Sequence, residues 1–287
     1  MLDTARWRER LGGPGLRALL ARVPADCPRC GARARGGRPC PPCLPAPIRA
    51  GDPRRCLVCA QRLAGLPCPD CTRRPPAFDR VIAAFDYEAA GRELILLYKA
   101  RRRFELSGAF ADLLVEAVGT AWLPGAEGFG IAGTVGDARI VRGVGAAETA
   151  GAAEVFPPGS TILVPVPARR EAILRRGFNP AAELARALSA RMGLRCEPGM
   201  LLRTGEGAKQ ALLGRAARRA APREAYRCGP VPRGCHVAVV DDVLTTGGTL
   251  DGIARALKAA GAATVTGLVL ARAVPDAARR PPWAGPA

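Results

Sequence analysis

The apolar positions of the chain form a succession of strand-like and helix-like segments between residues 81 and 271. Short apolar runs bounded by turn residues predict strands, whereas apolar residues spaced three and four apart predict amphipathic helices. The predicted strands cover residues 81–87, 161–167, 236–241 and 264–271. The predicted helices cover residues 91–118 (with a break near 101–103), 179–193 and 247–261. Strands that alternate with helices in this way indicate an α/β domain with a parallel sheet and flanking helices.

Four segments fall outside this α/β pattern. Residues 1–26 are rich in arginine and predict a basic N-terminal helix. The stretch near 119–160 is rich in glycine and alanine with weak periodicity, so we predict a long surface insertion there. A basic loop covers 203–223, and residues 275–287 predict a disordered tail. The α/β domain therefore extends over 78–274 and contains one long insertion.

A cysteine-rich repeat precedes the α/β domain. Eight of the eleven cysteines form four C-x-x-C pairs, in two similar units at 27–43 and 56–71. Two sulfurs three residues apart on a tight turn can face one metal ion, and two such turns complete a tetrahedral shell. So small a segment has little core, and metal binding would supply the missing folding energy. We therefore predict a double zinc ribbon over 27–74 with about two zinc ions. The predicted ligands are Cys27, Cys30, Cys40, Cys43, Cys56, Cys59, Cys68 and Cys71, and their spacing leaves open which pairs share each ion.

Two other chemistries compete with zinc at these cysteines. Disulfide bonds or a redox C-x-x-C pair are disfavoured by the regular repeat of four pairs in a chain without a secretory signal. An iron–sulfur cluster remains as an alternative. Because four thiolates leave zinc no open coordination position, we expect the ribbons to organise structure or a partner surface rather than to catalyse a reaction.

The chain is strongly basic, with 43 lysines and arginines, 25 acidic residues and a formal net charge of +18. Residues 1–75 contain 15 arginines against five acidic residues. A positive surface attracts polyanions, so nucleic-acid contact at this end is one expectation, and a solvated basic surface is the other. No apolar run reaches the roughly 18 residues of a membrane helix, and the N-terminus does not resemble a secretory signal. We therefore expect a cytoplasmic protein without a membrane span.

The most informative segment is VAVVDDVLTTGGT at 237–249. Its apolar run is typical of a strand buried on both faces. Asp241 and Asp242 follow at the carboxyl end of this strand, where open α/β sheets bind ligands. Two glycines and three threonines then form a turn into a helix, and such turns direct backbone N–H groups toward an anion. A turn that binds phosphate, beside carboxylates that bind hydroxyl groups or a hydrated metal, indicates a site for a ribose 5-phosphate group.

This segment differs from two other phosphate-binding motifs. A Walker loop requires a Gly-Lys-Ser/Thr ending, and a dinucleotide-binding turn requires G-x-G-x-x-G; neither is present. The remaining alternative is a strand–turn–helix unit whose aspartates cap the helix and whose glycines only turn the chain.

The same segment resembles the 13-residue signature of type I phosphoribosyltransferases. The wider chain resembles the ComF family, in which a cysteine-rich zinc ribbon precedes a phosphoribosyltransferase-like domain. Besides the ribbons and 237–249, the resemblance is carried by FDYEAAGRELILLYK at 85–99, LVPVPARR at 163–170, RRGFN at 175–179 and KQALLGRAARR at 209–219. It extends over nearly all of 27–272 except the insertion.

The resemblance implies a site for 5-phosphoribosyl diphosphate with Mg²⁺. Asp241 and Asp242 would bind the ribose hydroxyl groups. The 5′-phosphate would contact the turn residues Thr245, Thr246, Gly247, Gly248 and Thr249. The diphosphate would contact the turn after the first central strand, which comprises Pro165, Val166, Pro167 and Ala168, with Arg169 beside it. A basic loop at 203–223 would close over the site and contribute Arg218, which joins the two aspartates in the implied catalytic set. Such closure excludes water and strengthens each charge contact.

Two departures from the family pattern bear on turnover. Pro180 stands where the family commonly has Gln, and Ala221 stands, before Pro222, where we expect an Asn. If that Asn positions the closing loop, phosphoribosyl transfer would weaken while binding survives. No pattern in the chain identifies an acceptor base.

Three functions follow from these features. The ComF resemblance implies a phosphoribosyltransferase-like protein in natural competence, which is the uptake and processing of single-stranded DNA, with pentosyl transfer if the site is active. The second hypothesis is a non-catalytic adaptor whose basic ribbons contact single-stranded DNA or a helicase-like partner. The absence of Phe, Tyr and Trp from the ribbons counts against base stacking there. The third hypothesis is nucleobase salvage.

Overall fold

The computed structural model describes residues 22–49, 52–65, 67–120, 159–204 and 226–274. Several predictions lie outside these ranges: residues 1–21 of the N-terminal helix, nearly all of the insertion, most of the basic loop, and the tail from residue 275.

The secondary structure follows the predicted succession of strands and helices. The strands are β1 (Pro24–Asp26), β2 (Arg33–Arg35), β3 (Arg80–Asp86), β4 (Thr161–Pro165), β5 (Arg195–Cys196), β6 (Leu201–Arg203), β7 (Tyr226–Cys228), β8 (His236–Leu244) and β9 (Thr264–Arg272). The helices are α1 (Pro69–Arg73), α2 (Ala89–Ala100), α3 (Ser107–Thr120), α4 (Arg170–Arg176), α5 (Pro180–Met192) and α6 (Gly248–Ala259), with short 3-10 turns at Pro41–Cys43 and Phe104–Leu106. Residues 24–26 form a strand that pairs with β2, so the predicted N-terminal helix does not include them.

The central sheet has five parallel strands in the order β3-β9-β8-β4-β5. Its register pairs Asp86 of β3 with Arg272 of β9, and Arg272 with Leu244 of β8. The carboxyl ends of these three strands therefore meet at one edge, where open α/β sheets bind ligands. This sheet with helices on both faces confirms the predicted α/β fold class.

The sheet is buried on both faces, because successive residues of a strand point to opposite sides. On β8, Ala238 and Val240 pack in one core with α2, α3 and α5. Val237 and Val239 pack in a second core with α6 and the second cysteine unit. The apolar run that predicted a doubly buried strand is explained by these two cores.

The helices begin and end where local chemistry requires. The Asn179 side chain accepts a hydrogen bond from the Ala181 N–H at the start of α5, Pro180 is its first residue, and Gly193 ends it at a φ of 67°. Helix α4 was not predicted; it occupies the segment between β4 and α5 that was expected to be a loop, and ends at Gly177. Among the described residues, no helix is long and apolar enough to span a membrane.

The cysteine units lie against the α/β domain through ion pairs. Arg29 and Arg38 of the first unit pair with Glu93 and Asp112 of the helical layer. In the second unit, Arg55 Nη2 lies 2.6 Å from Asp86 Oδ2 at the carboxyl end of β3, and Arg62 also pairs with Asp86. Some of the arginines near the N-terminus are therefore paired with acidic residues of the same chain.

Candidate functional site

The eight N-terminal cysteines form two separate tetrads. The ligand atoms of Cys27, Cys30, Cys40 and Cys43 all lie within 4.8 Å of one another, and so do those of Cys56, Cys59, Cys68 and Cys71. Each tetrad combines the two C-x-x-C turns of one repeat unit. We call them the first and second ribbon tetrads.

The sulfur spacing tests whether a metal fits. The Sγ–Sγ distances are 3.6 Å for Cys30–Cys40 and 3.9 Å for Cys59–Cys68. Four sulfurs about 2.3 Å from a central zinc ion would be separated by about 3.8 Å, whereas a disulfide requires about 2.05 Å. Each tetrad could therefore hold one tetrahedral metal ion. Thiolates of an iron–sulfur cluster bind different iron atoms and would not converge on one point.

Each tetrad contains thiols whose pKa values are shifted in opposite directions. In the first tetrad, burial raises the pKa of Cys27, but backbone N–H groups of Cys40, Cys30 and Arg29 outweigh it and lower the pKa to about 6, whereas at Cys40 burial dominates and raises the pKa. In the second tetrad, backbone N–H groups outweigh burial and lower the pKa of Cys56, whereas burial raises the pKa of Cys59 to about 11. A bound divalent cation favours the deprotonated ligand, so metal binding to either tetrad would release protons.

The acidic pair lies near the carboxyl end of β8. Asp242 is 7% exposed, and its Oδ1 lies 2.8 Å from the Nζ of Lys99 on α2. Asp241 retains some solvent contact, and its Oδ1 accepts a hydrogen bond of 2.8 Å from the Asp242 N–H. Lys99 is the last residue of the segment at 85–99 that carries the family resemblance, but its position in the sequence does not indicate that it belongs to the site.

The Asp241 carboxyl group has a raised proton affinity. Burial is the main cause that raises the pKa of Asp241 from 3.8 to about 7, and the negative charge of Asp242 raises it further. The Asp242 N–H and Lys99 oppose this shift. Asp241 therefore binds a proton more readily than an ordinary aspartate.

The threonine–glycine turn connects β8 to α6 as predicted. Gly247 adopts a φ of 80°, a left-handed conformation that glycine favours, and Gly248 is the first residue of the helix. No side chain caps this helix start, so its first N–H groups have no side-chain acceptor. Thr245 is exposed, whereas Thr249 is partly buried. Uncapped N–H groups at the positive end of a helix can bind an anion.

The predicted diphosphate turn lies directly beside the acidic pair. The register pairs Pro165 with Val240, the residue before Asp241. The Val166 N–H donates to the Val240 carbonyl, and the Asn179 side chain donates to the Val166 carbonyl at 3.0 Å. Asn179 thus fixes the turn, a role for which its position in RRGFN was the only sequence signal. Pro167, Ala168 and Arg169 are partly buried at the same edge.

Most of the predicted closing loop lies outside the described residues. This part covers 205–225 and includes Arg218. The two ends of the loop are described: β6 and β7 pair as an antiparallel ladder, and Arg203 lies over the ring of Tyr226, 5.5 Å from its centroid.

One further residue at this edge was missed. Arg272, at the end of β9, is only 3% exposed. It donates hydrogen bonds to the carbonyls of Leu244 and Thr245, which lead into the threonine–glycine turn at 245–249. We call this turn the phosphate turn, after its predicted ligand. Arg272 also donates to the Cys59 carbonyl and to Gln61 Oε1 of the second ribbon. Its one signal in the sequence is a basic residue at the end of an apolar strand.

Known proteins with similar sequences were identified by comparison. Residues 172–282 match the family model described as the phosphoribosyl transferase domain. The DNA utilization protein YhgH of Escherichia coli O6:H1 is 32% identical over 200 residues, which cover 70% of this chain and 75% of that protein. The protein of the same name from Salmonella typhi is 29% identical over 249 residues, covering 87% and 84%.

A comparison of structures gives a weaker likeness. Adenine phosphoribosyltransferase from Leishmania tarentolae aligns with 61% of this chain and 74% of its own, at 17% identity and a TM-score of 0.28. That score is too low to carry an argument. The match to the phosphoribosyl transferase domain model and the parallel sheet together support a fold of this type.

Proposed function

Because this chain belongs to the family of the DNA utilization protein YhgH and contains a phosphoribosyl transferase domain, we propose that it binds 5-phosphoribosyl diphosphate with Mg²⁺. The observation that carries the proposal is one edge of the sheet. There the Asp241–Asp242 pair, an uncapped glycine turn at the start of α6 and the turn after β4 lie side by side. Separately, each is a common feature; together they match the three parts of the ligand.

Each part of the site would bind one part of the ligand. The N–H groups of Thr245 to Thr249 and the positive end of α6 would bind the 5′-phosphate. The carboxylates of Asp241 and Asp242 would accept hydrogen bonds from the ribose hydroxyl groups. The turn after β4, fixed by Asn179, would direct its N–H groups and Arg169 toward the diphosphate. Mg²⁺, when bound, neutralises charge on the diphosphate.

Binding and transfer are separate parts of the proposal. Displacement of diphosphate requires stabilisation of the leaving group as negative charge develops on it. Arg169 lies at that turn, and the closing loop with Arg218 would add further positive charge. Because Ala221 replaces the expected Asn, we propose ligand binding as the main function and pentosyl transfer as a secondary activity. Diphosphate release against a panel of bases would measure transfer directly and would also test nucleobase salvage.

Isothermal titration calorimetry with 5-phosphoribosyl diphosphate and MgCl₂ tests binding. The double variant Asp241→Asn/Asp242→Asn should lose measurable affinity. Asp79→Asn is the matched control, because Asp79 is also an acidic residue beside the sheet but accepts from the Val265 N–H at the opposite end of the strands. Absence of binding by the wild-type protein, or equal binding by the double variant, would refute the proposal.

The name of the relatives supports a second element of the proposal, a role with DNA. We propose a ComF-type function in natural competence, in the cytoplasm, with single-stranded DNA as a macromolecular partner and a helicase-like protein as a further candidate. Arg33 and Arg35 on β2 make no ion pair with the described residues. Arg33→Gln/Arg35→Gln should therefore weaken single-strand binding and flatten its salt dependence, while unchanged affinity would exclude this surface.

Zinc is the metal we propose for both tetrads. Each offers four convergent thiolates and is large enough for one ion, and thiolate ligands select zinc among common divalent metals. These sites would stabilise the ribbons and would take no direct part in phosphoribosyl chemistry.

A further inference from the structure

Arg272 has an unusual environment for a buried cation. Its hydrogen-bond acceptors among the described residues are neutral: the carbonyls of Cys59, Leu244, Thr245 and Ala273, and the Gln61 amide oxygen. Asp86, the residue paired with Arg272 on the neighbouring strand, forms ion pairs with Arg55 and Arg62 instead. A buried charge without an opposite charge nearby is costly. Among the described residues, Arg272 forms no ion pair.

The second ribbon tetrad supplies the missing opposite charge when it is loaded. Four thiolates and one divalent cation carry a net charge of −2. Arg272 Nε lies 2.8 Å from the carbonyl oxygen of Cys59, one of the four ligands. The loaded tetrad and Arg272 therefore stabilise each other.

The opposite side of the same guanidinium fixes the start of the phosphate turn. Arg272 Nη1 donates to the Thr245 carbonyl at 2.6 Å and to the Leu244 carbonyl at 3.1 Å. A trans peptide unit directs its carbonyl and its following N–H in opposite directions. By holding these two carbonyls, Arg272 sets the direction of the Thr245 and Thr246 N–H groups. These groups begin the segment proposed to bind the 5′-phosphate.

The two sites also share a cavity. A cavity of 230 Å³ is lined by Cys59, Gln61 and Cys71 on the ribbon side and by Thr246 and Gly247 on the turn side. Arg272 is part of this lining, so the side chain joins the two walls. A shift of the ribbon wall would move the hydrogen-bond acceptors of Arg272 and, through them, the turn.

We propose that Arg272 is a positioning residue that couples metal binding in the second ribbon tetrad to ligand binding at the phosphate turn. The coupling rests on the proposed function, because it takes 5-phosphoribosyl diphosphate as the ligand. Loss of the metal from this tetrad removes the counter-charge of Arg272 and weakens binding of the ligand. Coupling between two binding sites is reciprocal, so the ligand must also strengthen retention of the metal.

The first ribbon tetrad provides an internal comparison. Its buried cysteines Cys27, Cys40 and Cys43 form their own small cluster with Ala34, apart from the core that contains the second tetrad. The surrounding segment forms ion pairs with α2 and α3 through Arg29 and Arg38. The coupling therefore predicts protection of one tetrad and not the other by the ligand.

Pulsed cysteine alkylation of the full wild-type chain, read by mass spectrometry, tests this asymmetry. The zinc-loaded protein is treated with a zinc-selective chelator in MgCl₂, with and without saturating 5-phosphoribosyl diphosphate. We expect the ligand to slow alkylation of Cys56, Cys59, Cys68 and Cys71 by at least about fivefold, the lower end of typical coupling between sites. Alkylation of the first tetrad should change less than about twofold on the same scale. Equal protection of both tetrads, or protection of neither despite bound ligand, would overturn the coupling.

Variants at Arg272 add the second measurement. Arg272→Met should abolish selective protection and weaken ligand affinity about tenfold, while Arg272→Lys keeps the charge and should recover part of both. Arg191→Met is the control, because Arg191 also binds backbone carbonyls but, unlike Arg272, pairs with a carboxylate and lies between α3 and α5. Persistent selective protection in a folded Arg272→Met protein would overturn the role of Arg272. If wild type binds no ligand by calorimetry, the proposed function fails and the coupling with it; tight binding without selective protection refutes the coupling alone.

Discussion

Replacing Asp241 with asparagine should stabilise the protein at neutral and alkaline pH while removing its ligand affinity. The pKa of Asp241 is raised from 3.8 to about 7, mainly by burial. An acid with a raised pKa in the folded state binds more protons when folded than when unfolded between these two values. The wild-type protein therefore loses stability as pH rises from about 4 to about 7. Asparagine remains uncharged and avoids this loss.

The size of the effect can be bounded from the same pKa values. A tenfold change in proton affinity corresponds to about 1.4 kcal/mol, so the rise from 3.8 to about 7 sets an upper limit of about 4 kcal/mol. Asp241 retains solvent contact, and solvent screening reduces such effects, so we expect a gain of about 1–2 kcal/mol at pH 8. At pH 4 the gain should be close to zero.

Urea denaturation of zinc-loaded protein between pH 4 and pH 8 measures this difference. The contrasting variant is Asp242→Asn, which removes the partner of Lys99 but also removes the negative charge that helps to raise the pKa of Asp241. Its gain at pH 8 should therefore be smaller than that of Asp241→Asn. The reasoning would be wrong if Asp241→Asn destabilised the protein at pH 8, or if its gain did not grow between pH 4 and pH 7. A gain in stability with loss of ligand binding would show that the carboxylate is kept for binding rather than for folding.

Three further predictions concern other parts of the molecule. Elemental analysis of freshly reduced protein should give about two zinc ions per chain; iron, or no metal, would contradict this assignment. Gly91→Ala should lower the free energy of unfolding by about 2 kcal/mol, because its Cβ would lie 2.6 Å from the Asp86 carbonyl. The Cβ of Gly119→Ala in α3 meets no atom within 4 Å, so this variant should raise the free energy of unfolding by about 0.5–1 kcal/mol, as measured by thermal unfolding. Lys99→Met leaves the buried Asp242 carboxylate without its cation and should lower the free energy of unfolding in urea by about 1–3 kcal/mol. Lys99→Arg should recover most of this loss, and equal free energies of unfolding for all three proteins would refute the pairing.

The sheet and the strand–turn–helix unit at 237–249 could be predicted because their signals are local. Apolar runs mark the strands, and an apolar strand, an acidic pair and a glycine turn follow one another at 237–249. The C-x-x-C pairs are equally local, but their spacing left open which pairs lie together; the structure brings the two pairs of each repeat unit into one tetrad. Helix α4 was missed because a seven-residue arginine-rich segment carries too little periodicity.

The contacts that complete the site could not be predicted, because they join distant parts of the chain. Lys99 reaches Asp242 from α2, and Arg272 reaches Cys59 from β9. In a chain with 43 lysines and arginines, no pattern separates such a cation from the exposed ones. Charge counted along residues 1–75 likewise gave no sign that Arg55 and Arg62 are bound by Asp86. The partners of these side chains are set by the packing of the ribbon on the sheet.

The pairing of β3 with β9 also has a consequence for the order of folding during synthesis. Arg80 pairs with Thr266, so the first strand of the domain has its partner only after nearly all of the domain has left the ribosome. Pairing over such a separation in sequence is slow. The ribbons are complete much earlier and can take up metal while β3 is still unpaired. Arg272, at the end of β9, then joins the ribbon to the phosphate turn in one of the last steps. A nascent chain that stops before β9 would contain both cysteine tetrads but would lack Arg272, which holds the start of the phosphate turn. The proposed ligand site is therefore complete only when the sheet is finished.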